Sequence, residues 1–127
     1  EVALRFRVAA IAATNTTLDR PASLRSKNAR ETGGLSGLPL AARSVAIVRR
    51  LVQLVEGQTA IIAAGGIFTG RDVLAAISAG AAFTQTYTGF IYRGPMMPSL
   101  VQTEMLDLMH QHDIPNLAQL RGTNYQI

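Results

Sequence analysis

Four consecutive side chains that form hydrogen bonds, Thr14, Asn15, Thr16 and Thr17, follow a short run of small apolar residues. Each hydroxyl donates and accepts a hydrogen bond, and the amide of Asn15 does both at once. The buried segment is therefore expected to end at Ala13, before Thr14. The polar segment that follows is a candidate for ligand contact.

Two further segments combine glycine with the start of a helix. Gly65 and Gly66 precede a helix start at Thr69-Gly70, and residues 85–89 (QTYTG) precede a short helical turn. Glycine lets the backbone approach a ligand, and the first N–H groups of a helix attract anions. Each glycine on its own serves equally well to turn the chain. The occurrence of two such segments after consecutive strands favours a phosphate site, and both helix starts are expected to offer free N–H groups.

A glycine-rich segment lies between these groups, at residues 31–40 (ETGGLSGLPL). Its glycines allow it to lie flat against a ligand, and Pro39 fixes the backbone where the next helix begins. A flexible linker is the alternative. The apolar residue Leu35 argues against a pure linker, because a linker has no use for it.

The elements that must position these groups alternate along the chain. Apolar runs at residues 8–13, 59–64 and 81–86 predict strands, and the spacing of apolar residues predicts helices over residues 40–55, 69–79 and 98–112. A polar loop at residues 19–34, in which Asp19 and Arg20 are expected to form a solvated pair, separates the first strand from the first helix. Residues from Ile114 are expected to form a short capping element.

Alternation of this kind indicates parallel strands covered by helices, so the fold class is α/β. An open doubly wound sheet and a closed eight-stranded barrel both satisfy the pattern. A complete barrel needs about 250 residues, so the 127 residues here can form only part of one. The absence of an initiator Met suggests an interior piece of a longer protein.

Composition narrows the function. The chain has 48% hydrophobic and 16% charged residues, and without cysteine it has no disulfide, thiolate metal site or cysteine nucleophile. Its net charge of +4 is scattered, with Arg49-Arg50 the only adjacent basic pair, so no nucleic-acid partner is expected. His110 and His112 are expected at the surface, and no metal is proposed. No apolar run approaches the roughly 20 residues that span a membrane.

Four motifs in order, TNTTLDR, ETGGLSGLPL, IIAAGGIFTGRDVLAAISAGA and YTGFIYRGP, resemble the C-terminal portion of the dihydroorotate dehydrogenase family, in its membrane-associated, quinone-using class 2. The resemblance runs from about residue 11 to residue 95. It implies a (β/α)8 TIM barrel that carries FMN, with the three strands here as the sixth, seventh and eighth. Residues 1–127 would then be the C-terminal segment of a single FMN-binding barrel domain.

The resemblance also implies roles for individual residues. The substrate, dihydroorotate or its product orotate, would be held by Asn15 and Thr16. The flavin cofactor would be contacted by a larger set, of which Gly65 and Gly89 are backbone neighbours: Thr14, Gly37, Gly65, Gly66, Tyr87, Thr88 and Gly89. Gly66, Tyr87 and Thr88 would touch the FMN phosphate.

The implied reaction is oxidation of dihydroorotate to orotate with a quinone as electron acceptor, in de novo pyrimidine (UMP) biosynthesis. The family's serine base, its flavin-contacting lysine, its first five strands and its membrane helices would all lie upstream of Glu1. No catalytic residue is therefore expected in this chain, and Ser36 and Ser44 are not expected to act as bases. The remainder of the barrel becomes an expected partner. The expected location is peripheral on the inner membrane, on the cytoplasmic face in bacteria or in mitochondria in eukaryotes.

Two alternatives remain open at the level of sequence. If 127 residues were the whole chain, open sheet edges would leave a non-catalytic half-barrel fragment, or a subunit that binds a phosphorylated ligand. Another phosphate-binding barrel enzyme, an isomerase or an IMP-dehydrogenase-like protein, is the third reading. The TNTT and GGLSG motifs argue against that one.

Overall fold

The alternation of strands and helices is present in the computed structural model, which describes residues 1–126. The strands are β1 Ala10–Ala13, β2 Ala60–Ala64 and β3 Phe83–Gln85. The helices are α1 Val2–Arg5, α2 Ala41–Val55, α3 Gly70–Ser78, α4 Thr88–Arg93, α5 Met97–Gln111 and α6 Leu117–Leu120, and a 3-10 turn, Leu38–Leu40, leads into α2. The three predicted strands and the three predicted long helices are confirmed, with shorter strands than expected.

The sheet is parallel and follows chain order, β1-β2-β3. Ala10 pairs with Ala60, and Ile62 pairs with Phe83. All three strands therefore run in one direction, and their carboxyl ends meet at a single edge of the sheet. The polar segments of the sequence begin at this edge.

The two faces of the sheet differ in cover. Ile61 and Ala63 of β2 are each 1% exposed and pack with the helices. The opposite face carries Ala12, Ile62 and Phe83, and Phe83 is 65% exposed. Parallel sheets are normally covered on both faces, so this apolar face is the side on which more protein is needed.

The helices supply the core on the covered face. Val48 of α2 and Leu74 of α3 are fully buried, as the spacing of apolar residues predicts. Helix α5 packs along α3 through half-buried side chains such as Met105. Leu120 of α6 is 4% exposed and closes the far end, so the short capping element predicted from Ile114 onward is confirmed.

Two local features differ from the sequence prediction. Helix α1 was not expected, because four residues are too few to show a helical period. Asp19 forms its ion pair with Arg43 of α2, so the solvated pair of Asp19 with Arg20 is wrong. Arg20 instead donates to backbone carbonyls of its own loop. Pairing with a residue 24 positions away leaves no trace in local sequence.

Candidate functional site

A cleft of about 280 Å³ opens at the carboxyl ends of the three strands. All nine residues predicted to contact substrate or cofactor line it, together with others from the same loops: Thr14, Asn15, Thr16, Gly37, Gly65, Gly66, Tyr87, Thr88 and Gly89. They come from four separate segments of sequence. The structure thus brings the predicted residues together, and their individual roles stay predictions.

One backbone carbonyl, that of Ala64, joins the ends of β1 and β2. It accepts from the N–H of Thr14 at 2.6 Å and from the Thr14 hydroxyl at 3.2 Å. It also accepts from the buried hydroxyl of Ser44 at 2.8 Å. Thr14 is fixed at the mouth of the cleft, and Ser44 serves packing between α2 and the sheet.

Asn15 and Thr16 occupy the cleft wall after β1, where both are exposed. The side-chain oxygen of Asn15 accepts from the N–H of Thr16 at 2.7 Å, which orients the amide. Within residues 1–126 the amide NH₂ group of Asn15 has no partner. Asn15 therefore presents two donors to a ligand in the cleft.

The glycine-rich segment is joined to this wall by backbone pairing. The N–H of Thr17 donates to Leu35 at 3.0 Å, and the N–H of Leu35 donates to Thr17 at 2.7 Å. A Cβ atom on Gly34 would lie 1.9 Å from Oγ1 of Thr16, so only glycine fits there. The loop therefore lies directly against Thr16, which a flexible linker would not do.

Gly66 is required by the packing of the cleft floor. Its φ is +76°, and a Cβ atom there would lie 2.3 Å from the Cα of Ala41 at the start of α2. Its N–H group has no hydrogen-bond partner among the described residues. The same glycine thus allows the close approach of helix α2 and leaves an unpaired N–H donor in the lining of the cleft.

The prediction of free N–H groups at the start of α3 is wrong. The carboxylate of Asp72 accepts from the N–H of Phe68 at 3.0 Å and of Thr69 at 2.8 Å, and Thr69 caps the helix in return. Gly70 donates its N–H to Glu104 at 2.7 Å. These two carboxylates already neutralise the helix start, so an anion has no donors to gain from these three groups.

The start of α4 has the donors that the start of α3 lacks. No side chain caps this helix, and the N–H groups of Thr88 and Gly89 have no partner within residues 1–126. The hydroxyl of Thr88 lies 3.0 Å from that of Ser36 in the glycine-rich segment. These groups and the N–H of Gly66 are the donors best placed to bind an anion in the cleft.

An ion pair between Arg93 and Glu104 supports this arrangement, and it was not predicted because the two residues lie 11 positions apart on different helices. Arg93 donates to the Phe68 carbonyl at 2.7 Å and to the carboxylate of Glu104. The same carboxylate accepts a hydrogen bond from the N–H of Gly70. The hydrogen bond from Arg93 is the main cause that lowers the pKa of Glu104, and Glu104 in turn raises the pKa of Arg93. The pair fixes the loop between β2 and α3 against α4 and α5.

Among residues 1–126, no Asp, Glu, Lys or Arg lines the cleft. An anionic group would meet neutral hydroxyls, amide donors and free backbone N–H groups, and no carboxylate would repel it. These are the donors that hold phosphate at strand ends of barrel enzymes. The residues present therefore fit the phosphate of FMN and the polar edge of a small ring.

Other candidate groups are separate from this cleft. His110 is exposed, as expected, whereas the ring of His112 is half-buried 6.0 Å from that of Tyr125. No group of three or more His, Asp or Glu residues in the described part of the chain is arranged to hold a metal ion.

Helices in residues 1–126 are all too short or too polar to span a membrane.

Comparison with known proteins identifies the family. A sequence model of the family described as dihydroorotate dehydrogenase matches residues 1–109. The dihydroorotate dehydrogenase (quinone) of Synechococcus elongatus is 39% identical over 96% of this chain and 34% of its own length. That of Methylococcus capsulatus is 49% identical over 74% of this chain and 28% of its own length. The chain thus spans about a third of the relatives that it matches.

Solved structures agree with the sequence relatives. DHODH from Eimeria tenella in complex with ferulenol superimposes with a TM-score of 0.90 at 45% identity, over 97% of this chain and 33% of that one. The ligand-free form from the same organism gives a TM-score of 0.90 at 44% identity. The predicted fold is confirmed: the three-stranded sheet with its helices is part of a TIM barrel. The chain belongs to the dihydroorotate dehydrogenase family.

Proposed function

We propose that this chain forms the FMN-phosphate seat and part of the substrate site of a quinone-dependent dihydroorotate dehydrogenase, completed by the remainder of the barrel. The observation that carries the proposal is the single cleft in which all nine predicted residues meet. Its volume of about 280 Å³ lies just below the roughly 300–1,000 Å³ of complete ligand pockets. A site shared with further polypeptide accounts for that size.

Each side of the cleft has a distinct task in this proposal. The N–H groups of Thr88 and Gly89 hold the phosphate, helped by the N–H of Gly66 and by the hydrogen-bonded hydroxyls of Thr88 and Ser36, which together keep one O–H to donate. Asn15 donates its amide to a carbonyl or carboxylate oxygen of dihydroorotate, and Thr16 adds a hydroxyl. FMN held there would supply the hydride acceptor for the oxidation of the substrate. The chain's own residues bind and orient the cofactor phosphate and the substrate.

The general base comes from outside this chain. Ser44 is 2% exposed and donates to the carbonyl of Ala64. Ser36 lines the cleft, but its hydroxyl accepts from Thr88 of the proposed phosphate seat, so neither serine is assigned as the base. Completion of the barrel supplies the base and covers the apolar face that carries Ile62 and Phe83. A quinone acceptor is lipid-soluble, which supports a peripheral site on the inner membrane for the assembled enzyme.

The test uses the assembled protein, this chain together with the remainder of the barrel. Its visible spectrum is recorded beside its intact mass, and then dihydroorotate is added without oxygen, followed by a quinone. We expect a flavin band that dihydroorotate bleaches and quinone restores. Flavin that stays oxidised in the presence of dihydroorotate would refute the proposed activity.

A matched pair of variants assigns the substrate contact. Asn15→Asp keeps the side-chain shape but removes both amide donors and adds a charge, so we expect the KM for dihydroorotate to rise about 100-fold, with flavin retained. Asn116→Asp is the control, because Asn116 caps α6 through an oxygen that aspartate also has. Equal KM values in the two variants would remove Asn15 from the substrate site.

The second candidate, a half-barrel that binds a phosphorylated ligand without catalysis, is favoured by the uncovered sheet face. It predicts phosphate binding by the 13.6 kDa chain alone, without flavin reduction. Dihydroorotate oxidation by the assembled protein separates the two.

A further inference from the structure

Arg20 closes the long loop between β1 and the glycine-rich segment. Its guanidinium donates to six carbonyl oxygens at 2.7–3.4 Å, those of Thr17, Leu18, Asp19, Ala29, Glu31 and Gly33. A guanidinium has five N–H groups, so at least one is shared. The acceptors lie one to three residues before Arg20 and 9 to 13 residues after it, which makes this side chain the junction of the loop's two ends.

The loop ends joined by Arg20 are the ones that touch the substrate half of the cleft. Thr17, an acceptor of Arg20, exchanges two backbone hydrogen bonds with Leu35. Gly33, which accepts at 2.7 Å, precedes Gly34, the residue with no room for a Cβ atom against Thr16. The position of Thr16 is therefore set from both sides by backbone that Arg20 binds.

The cofactor half of the same loop has a separate attachment. Ser36 pairs with Thr88 at 3.0 Å, and the N–H of Leu40 donates to Gly37 at 3.0 Å as the chain enters α2. None of the six carbonyls bound by Arg20 belongs to residues 34–40. Loss of Arg20 therefore disturbs Thr16 before it disturbs Gly37.

We propose that Arg20 is a positioning residue for the substrate half of the cleft: by joining the two ends of the loop it holds Thr16, and with it Asn15, in place. The inference rests on the proposed function, because it assigns Asn15 and Thr16 to the substrate. It makes the loop a folded part of the site. Arg20 itself touches neither ligand, since it does not line the cleft.

Hydrogen-bond geometry, and not charge, is the basis of this role. Arg25, Lys27 and Arg30 lie in the same loop and are exposed. Arg30 makes no hydrogen bond or ion pair within the described residues, so it carries the same charge without the contacts. Comparing Arg20 with Arg30 therefore separates positioning from general electrostatic attraction of an anionic substrate.

The experiment compares Arg20→Met, Arg20→Lys and Arg30→Met in the assembled protein. Three quantities are measured: the KM and kcat for dihydroorotate, the bound flavin per protein, and the hydrogen exchange of the Leu35 amide. We expect Arg20→Met to raise the KM at least tenfold with flavin content unchanged, and to speed exchange at Leu35. Arg20→Lys should give a smaller rise, because an ammonium has three donors and no planar fork. Arg30→Met should match wild type.

The outcomes separate this inference from the proposed function. An active wild type whose KM and Leu35 exchange are unchanged by Arg20→Met overturns the inference alone, as does an equal rise in KM for Arg30→Met. Flavin loss in Arg20→Met at unchanged KM also overturns it. A wild type that never oxidises dihydroorotate overturns the proposed function and the inference with it. If Arg20→Met does not fold, Arg20→Lys decides: a KM equal to wild type contradicts the role.

Discussion

Single atoms decide which residues the cleft tolerates. Gly34 and Gly66 are needed because Thr16 and Ala41 already occupy the space that a Cβ atom would take. Free donors are equally local: the N–H groups of Thr88 and Gly89 are available because no side chain caps α4. Glycines in a sequence indicate a close approach, but they do not say whether the neighbour is a ligand or the protein itself.

Gly66→Ala tests the crowding at the cleft floor. The new Cβ atom would meet the backbone of Ala41 at 2.3 Å, at a φ of +76°. We expect a loss of about 2–4 kcal/mol in the free energy of unfolding, from overpacking and left-handed strain together. We also expect weaker FMN binding, as the floor shifts.

Gly57→Ala is the matched control for that variant. Gly57 has a similar φ of +78°, and nothing lies within 4 Å of the added atom. It should cost only the conformational part, about 1–2 kcal/mol, and leave FMN affinity unchanged. The free energy of unfolding of both variants is measured by denaturation. Equal losses in the two variants would refute the crowding argument.

Elements were predicted more reliably than the contacts between them. The periods of α2, α3 and α5 are visible in their apolar residues, whereas four-residue α1 shows none. One half of the capping of α3 can be predicted from the sequence, because Thr69 and Asp72 are three residues apart, which is the spacing of a capping box. The other half comes from Glu104, 34 residues away from Gly70, and only folding brings it there.

Glu104→Gln tests the attachment of α3 and α4 to α5. Glu104 accepts from Arg93 and from Gly70, and it is 35% exposed, so we expect a loss of about 1 kcal/mol at neutral pH. Asp107→Asn, on the exposed side of the same helix, should change stability little.

The pH dependence of this pair has a definite sign. Arg93 lowers the pKa of Glu104 in the folded state from its ordinary value of 4.5. The stabilisation is therefore fully present above that ordinary value and is lost as the pH falls through the lower folded pKa. The free energies of unfolding of wild type and Glu104→Gln should converge as the pH falls from 7 to acid. A gap that widens toward low pH would contradict the assignment.

The molecule as a whole is defined by an unfinished sheet. One face is packed by helices, and the other carries Ala12, the half-buried Ile62 and Phe83, which is 65% exposed. The alternation of strands and helices alone left the open sheet and the barrel as alternatives, and the resemblance of the four motifs implied the barrel. The match to DHODH structures over about a third of their length decides for the barrel.

This open face predicts the behaviour of the chain alone. Exposed strand edges and an apolar face favour association with other copies. We expect the isolated 13.6 kDa chain to self-associate and to bind a hydrophobic dye, as seen by light scattering and dye fluorescence. Co-expression with the remainder of the barrel should abolish both signals. A stable, dye-free monomer would show that the face needs no partner.

The central claim is that the cleft at the strand ends holds the phosphate of FMN. Flavin fluorescence titration of the assembled apoprotein compares FMN with riboflavin, which lacks the phosphate. The proposed hydrogen bonds to a charged phosphate predict that FMN binds about 100-fold more tightly than riboflavin. The preference should shrink in Thr88→Val but persist in Thr103→Val, because the Thr103 hydroxyl donates to the carbonyl of Ser99 within α5. Equal affinities for FMN and riboflavin would contradict the account.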